Sequence, residues 1–250
     1  MRELIQCITN NVTMNDCANV LLAVGASPTM AHHIMEVEEI QSGCDGLVLN
    51  LGATDDYEAM KVAIKTAVNR NHPIVIDPVG VGGSTFRRDF FFELCKIGKP
   101  SVVRGNYSEI KALADREYTV TGVDAIPGLE EKGLASNSDN IYEEAVKKLA
   151  KELGVIVVAS GATDYVSDGE KVCRVTEGTP WMSRITGSGC MSSALLAAFL
   201  VRDGINLDNV LNTLSMIGKC GEKAAKECEN KELGTMSFRN LFIDEISRIV

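Results

Sequence analysis

Apolar and polar positions alternate along the chain in two periods. From Thr54 to Asn71, "TDDYEAMKVAIKTAVNRN" brings Tyr57, Met60, Ala63, Ile64, Ala67 and Val68 onto one face at helical spacing. Thr54 is its expected N-cap. "NDCANVLLAVG" predicts a helix over Asp16 to Val24, capped by Asn15 or Asp16 and ended by Gly25. Between such segments lie short continuous apolar runs bounded by turn residues. Leu47–Leu51, Ile74–Ile76 (halted by Pro78), "SVVRGN" and "VIVVASG" all read as buried strands. "FRRDFFFELC", "SEIKALA" with Ser108 as cap, and "DNIYEEAVKKLAKELG" read as the helices between them.

Buried strands alternating with amphipathic helices predict an α/β fold. Its sheet is mostly parallel and covered by helices on both faces. "DYVSDGEKVCRV" breaks the alternation. Its pattern around Asp168-Gly169 predicts an antiparallel hairpin at one edge of the sheet. From Cys190 onward the chain reads as helical, with Ser237 capping the last helix.

Composition narrows the picture. At 250 residues and 45% hydrophobic, with no repeat and no compositional break, one domain is expected over 1–250. A formal net charge of -9 argues against nucleic-acid binding. The N-terminal stretch lacks the apolar core of a signal peptide and no run reaches membrane-spanning length, so a cytoplasmic protein is expected. Asn11 and Asn106 fit the glycosylation triplet, which has no use in that compartment. None of the eight cysteines forms a C-x-x-C pair, and none has zinc-ligand spacing to His32, His33 or His72. Reduced, mostly buried thiols are expected.

The candidate chemistry sits after the strands. Asn50, Asp77, Arg104 and Ser160-Gly161 each follow one, and in open α/β sheets ligands bind beyond the carboxyl ends of the strands. "TGSGC" sets Gly187 and Gly189 where a helix begins, a place for an anion. Asp77 and Glu109 offer hard oxygen ligands for Mg²⁺, directly or through water, and Arg104 a forked cation for phosphate. Phosphoryl transfer is the chemistry these suggest. No G-x-x-x-x-G-K-[ST] occurs, and "DPVGVGGS" does not match G-x-G-x-x-G.

Together, "NNVTMNDCAN", "LLAVGASPTMA", "DPVGVGGS", "RGNYSEI", "ASGATDYVSDG" and "ITGSGC" resemble the hydroxyethylthiazole kinase family, over nearly the whole chain and in the family's order. That resemblance implies a ribokinase-like fold and Mg²⁺-dependent transfer from ATP to the primary alcohol of 4-methyl-5-(2-hydroxyethyl)thiazole, in thiamine salvage. It implies substrate contacts at Met30 and Gly187, nucleotide contacts at Arg104 and Ser160, and acidic groups near the metal at Asp77 and Glu109. It places Cys190 at the catalytic position, which is an aspartate in most other ribokinase-like kinases. It also implies a homotrimer with the thiazole site between neighbouring subunits. Ala162 stands where many members carry an acidic residue, and Ser188 where threonine or alanine is usual. At a helix start, Cys190 is expected to be partly thiolate. Three alternatives stand beside this reading. They are another small-alcohol kinase or an ATP-dependent repair dehydratase of the same fold, a Cys190-dependent hydrolase or acyltransferase, and a non-catalytic binding module.

Overall fold

The computed structural model describes residues 2–116 and 135–249, with side chains described from residue 140 in the second segment. Eight strands form one sheet in the order β2-β1-β3-β4-β5-β6-β7-β8. They are β1 (Leu4–Ile8), β2 (Ser27–Thr29), β3 (Gly46–Asn50), β4 (Ile74–Asp77), β5 (Val102–Asn106), β6 (Ile156–Ser160), β7 (Asp164–Ser167) and β8 (Val172–Val175). The pairs from β2 through β6 are parallel, and β6-β7 and β7-β8 are antiparallel. The predicted mostly parallel sheet with an antiparallel hairpin edge is therefore present.

Nine helices lie among the described residues: α1 (Met14–Ala23), α2 (Val37–Ser42), α3 (Tyr57–Arg70), α4 (Thr85–Ile97), α5 (Tyr107–Asp115), α6 (Ala135–Leu153), α7 (Ser188–Asp203), α8 (Leu207–Asn230) and α9 (Thr235–Ser247). They cover both faces. Side chains of a strand alternate between faces. Val48, Val75, Val102 and Val158 join the core under α1, α7, α8 and α9. Leu47, Leu49, Ile74, Ile76, Val103 and Val157 join the core under α3 to α6. The same alternation sets Asn50, Asp77, Arg104 and Ser160, each two residues beyond a member of the first group, on the α7 side.

Two strands escape a reading by hydrophobic pattern. In β1, "LIQCI", a glutamine interrupts the run, yet Gln6 is fully buried and gives its amide N–H to Ala31 O at 2.7 Å. In β2, "SPT" carries no apolar signal, and Pro28 is admitted because the strand is an edge. The omission matters because the chain reverses its direction across the sheet at β1, between β2 and β3. That switch is where ligands settle in such sheets.

Several caps differ from expectation. Asn106, not Ser108, caps α5: its side chain accepts the Glu109 N–H while the Glu109 carboxylate accepts the Asn106 N–H. Thr13, without a side-chain cap bond, precedes α1, and Asp16 is buried within its first turn. Thr54 opens a short 3-10 turn rather than capping α3, and Val68 is 39% exposed at the rim of its face. Gly234 precedes α9, so Ser237 lies inside that helix.

Candidate functional site

The carboxyl ends of β1, β3, β4 and β5 meet the first turn of α7. Gly187 is the N-cap of α7 at φ +84°, a left-handed conformation that glycine adopts freely. A Cβ there would also lie 2.9 Å from Thr13 Cγ2. The first N–H groups of α7 have no intrahelical partners and carry the positive end of its dipole, so this turn is a cradle for an anion.

Cys190 stands in that first turn. Its Sγ accepts the Asn50 amide at 3.1 Å and the Asn10 amide at 3.7 Å, and Asn10 also donates to Asn50 Oδ1 at 3.2 Å. The loops after β1 and β3 thus hold one sulfur at the topological switch. The expectation of a partial thiolate is overturned: burial and the neighbouring Asp77 charge push the thiol up to about 11, against the smaller downward pull of Thr13, Arg104 and Asn10. Cys190 therefore rests as a neutral thiol at physiological pH.

Asp77 is 2% exposed and accepts Ser193 Oγ at 3.0 Å. Burial raises its pKa, and Arg104 opposes that rise. Glu109 is also buried. Its two oxygens accept the backbone N–H groups of Gly80 and Asn106, each at 2.9 Å. Desolvation, and then the Asp77 charge, raise it to about 7. The Arg104 guanidinium lies against Gly189, where a Cβ would collide with Nη1, and its Nε is buried without a hydrogen-bond partner. Arg104 also acts on Asp164, a carboxyl raised by burial whose Oδ1 accepts the Gly161 N–H at 3.0 Å. Ser160 Oγ is buried on the same side, close enough to the Asp164 carboxyl to lower its pKa though outside strict hydrogen-bond geometry.

The structure therefore gathers Asp77, Arg104, Glu109, Gly187 and Cys190 around one cradle, with Ser160 beside Arg104's strand. Met30 lies further out, partly buried against the core, its carbonyl held by His32 Nδ1 at 2.8 Å. Next to that segment is a cavity of about 230 Å³ lined by Asn11, His32, Gly52, Ala53, Thr54, Asp55 and Asp56. Ala162 is exposed at the turn between β6 and β7, and Ser188 opens α7. The sequence reading did not single out Asn10, Thr13, Ser193 or Asp164. Asn10 and Thr13 follow the unrecognised β1, Ser193 lies in the apolar body of α7, and Asp164 looks like a turn residue.

The hydrolase alternative loses support. The rings of His32, His33 and His72 contact Met30 O, Met35 N and Gln41, and no described hydrogen bond joins any of them to Cys190 as a hydrolase base requires. The eight cysteines are free thiols.

A mostly parallel sheet with a glycine-cradled helix start at its switch point has the ribokinase-like fold. A ribokinase-like superfamily protein from Enterococcus faecalis V583 aligns with a TM-score of 0.68 at 11% identity, covering 98% of this chain and 87% of the other. The particular family is shown by sequence: the hydroxyethylthiazole kinase family model matches residues 1–250, and the chain belongs to that family. Hydroxyethylthiazole kinase of Clostridium acetobutylicum is 43% identical over 246 residues, 97% of this chain and 89% of the relative. Hydroxyethylthiazole kinase 1 of Methanosphaera stadtmanae is 40% identical, covering 98% and 88%. The solved hydroxyethylthiazole kinase structure from Pyrococcus horikoshii OT3 aligns with a TM-score of 0.84 at 34% identity, covering 99% and 88%.

Proposed function

We propose that this chain transfers the γ-phosphoryl group of ATP to the primary alcohol of 4-methyl-5-(2-hydroxyethyl)thiazole, in thiamine salvage. The observation that carries it is the placement of Cys190 Sγ, held by Asn50 in the first turn of α7 beside Asp77 and Arg104. Acceptor, acid groups and phosphate cradle thus share one crevice. Family membership supplies the substrate class.

Phosphoryl transfer passes through a loose transition state, so positioning and charge complementarity dominate. The Gly187 turn receives phosphate oxygens on the N–H groups of α7. Arg104, with its unpaired Nε, meets the nucleotide phosphates, and Ser160 Oγ adds a hydroxyl. The alcohol approaches from the cavity beside Asn11 and Gly52, past the Met30 segment, and its hydroxyl rests against Cys190 Sγ. A loose transition state releases the hydroxyl proton late and asks little of a base. A neutral thiol can therefore hold the nucleophile: its sulfur takes the hydroxyl proton as its own S–H proton passes to the neighbouring Asp77 carboxylate, so that no charge is left on sulfur.

The residues fit Mg²⁺ held through water. Asp77 and Glu109 are buried carboxyls that each disfavour ionisation, which a divalent cation relieves. Both Glu109 oxygens already accept backbone N–H groups, so its reach to a metal runs through water. When bound, the ion neutralises phosphate charge.

The working unit in this reading is a cytoplasmic homotrimer of single-domain chains with sites at the subunit boundaries. Among the described residues no helix is long and apolar enough to cross a membrane. Val12 (71% exposed) and Met35 (85%) adjoin the cavity-lining Asn11 and the His32 segment, and Phe86 stacks on Tyr57 beside Asp56. Apolar groups at a cavity mouth suit a neighbouring subunit. Incubation with Mg-ATP and a panel of small primary alcohols, read by mass, tests the activity. A phosphoester of the thiazole alcohol in preference to the others is expected, and turnover of another alcohol alone overturns the substrate assignment.

A further inference from the structure

The phosphate cradle has an acidic wall. Asp16, 4% exposed, divides its two oxygens between different neighbours. Oδ1 is ion-paired with Arg239 of α9. Oδ2 lies 3.5 Å from the point a Gly187 Cβ would occupy, so the carboxylate borders the turn on which phosphate is proposed to rest. The Thr13 side chain, whose Cγ2 lies 2.9 Å from the same point, shares that border with Asp16.

A buried carboxylate there works against the cradle. At a few ångströms in a partly buried setting, like charges repel strongly. The first turn of α1 favours Asp16, but the dipole of α1 supplies only part of a charge. Arg239 supplies a whole one. It comes from the far end of the chain, on a helix anchored by the buried Phe238 and Phe242 in the core that also holds Cys17, Val20 and Leu21 of α1. The cation is thus fixed by packing on both sides.

We propose that Arg239 is a positioning residue for phosphate binding: it neutralises and aims Asp16, so that the Gly187 turn accepts the anionic group while α1 keeps its seat against that turn. Arg239 touches no substrate and acts through Asp16. This inference rests on the phosphoryl-transfer reading of the same cradle, and the experiment separates the two.

The variants are Arg239→Met, Asp16→Asn and the double substitution, each measured for ADP affinity by calorimetry, for KM and kcat with Mg-ATP, and for thermal melting. Arg239→Met leaves Asp16 charged and unpaired. ADP affinity should fall and the KM for ATP rise by about tenfold, with the loss partly recovered in high salt. Asp16→Asn in the Arg239→Met background should restore both to within about threefold of wild type, because the repelling charge has gone. If the double variant binds ADP as poorly as Arg239→Met, the ion pair is structural and the inference fails. It fails also if Arg239→Met melts earlier but binds ADP normally. Should Arg239→Met not fold, Asp16→Asn alone decides: unchanged or tighter ADP binding supports the inference, and a loss beyond about threefold overturns it. A wild type that binds ADP but phosphorylates no alcohol removes the kinase reading, while the ADP affinities still judge the pair.

Discussion

Asn50, the last residue of β3, donates its side-chain amide to Cys190 Sγ at 3.1 Å across 140 positions of sequence. The bond joins the topological switch of the sheet to the first turn of α7. It also fixes what the sulfur can do. A donor to sulfur favours the thiolate, yet burial and Asp77 outweigh it and push the thiol up to about 11.

Exchange of this thiol for a carboxylate should be tolerated in catalysis. In Cys190→Asp the amides of Asn50 and Asn10 and the α7 dipole receive an ionised acceptor. Kinase activity should be retained, and Cys190→Ala should lose about 10²–10⁴-fold. Initial rates with Mg-ATP and the thiazole alcohol check this. An aspartate variant as inactive as alanine, though folded and ADP-binding, removes the proposed role of the sulfur. In the wild type, iodoacetamide should label Cys190 slowly at neutral pH and faster as pH approaches about 11.

Arg104 and Gly189 should behave as one unit. Arg104→Ala removes a charge-assisted phosphate contact and should cost about 2–5 kcal/mol in nucleotide binding, leaving affinity for the alcohol nearly intact. Gly189→Ala places a methyl where the guanidinium end now lies, and that flexible end moves more readily than the helix backbone. A raised KM for ATP with a melting temperature near wild type is expected. Unaltered ATP kinetics in both variants would falsify the contact.

Metal stabilisation should depend on pH, and Glu109 sets the sign. Its folded pKa of about 7 exceeds its ordinary 4.5, so the folded state favours the protonated form. That stability is complete below about pH 4.5 and is lost as pH rises through about 7. Above that point Glu109 carries a buried negative charge beside Asp77, and a divalent cation relieves it. Magnesium, with ADP present, should therefore raise the melting temperature more at about pH 8 than at about pH 6, by roughly 2–4 °C. Equal shifts at both pH values, or a difference that survives Glu109→Gln, would mean that Glu109 serves only as the cap partner of Asn106.

An active preparation should sediment as a trimer of 27.0 kDa chains. Charged substitutions at the exposed Val12 and Met35 should shift it toward monomers and raise the KM for the alcohol more than that for ATP. Fully active monomers would remove the shared-site proposal.

The sequence alone determined the α/β class, the alternation of buried strands and amphipathic helices, the hairpin edge and the polar residues at four strand ends. These are properties of local periodicity and turn chemistry, which a window of a dozen residues contains. The family motifs added the expectation that Cys190 stands at the catalytic position. Only the tertiary structure decided the rest. It made β1 an interior strand despite Gln6, whose buried side-chain N–H finds an acceptor at Ala31 O. It set Asn10 and Asn50 on one sulfur, and Asp16 between Arg239 and Gly187. It also reversed the expected ionisation of Cys190. A thiol's pKa is set by the water it loses and the charges around it, and those are fixed only when distant segments pack together.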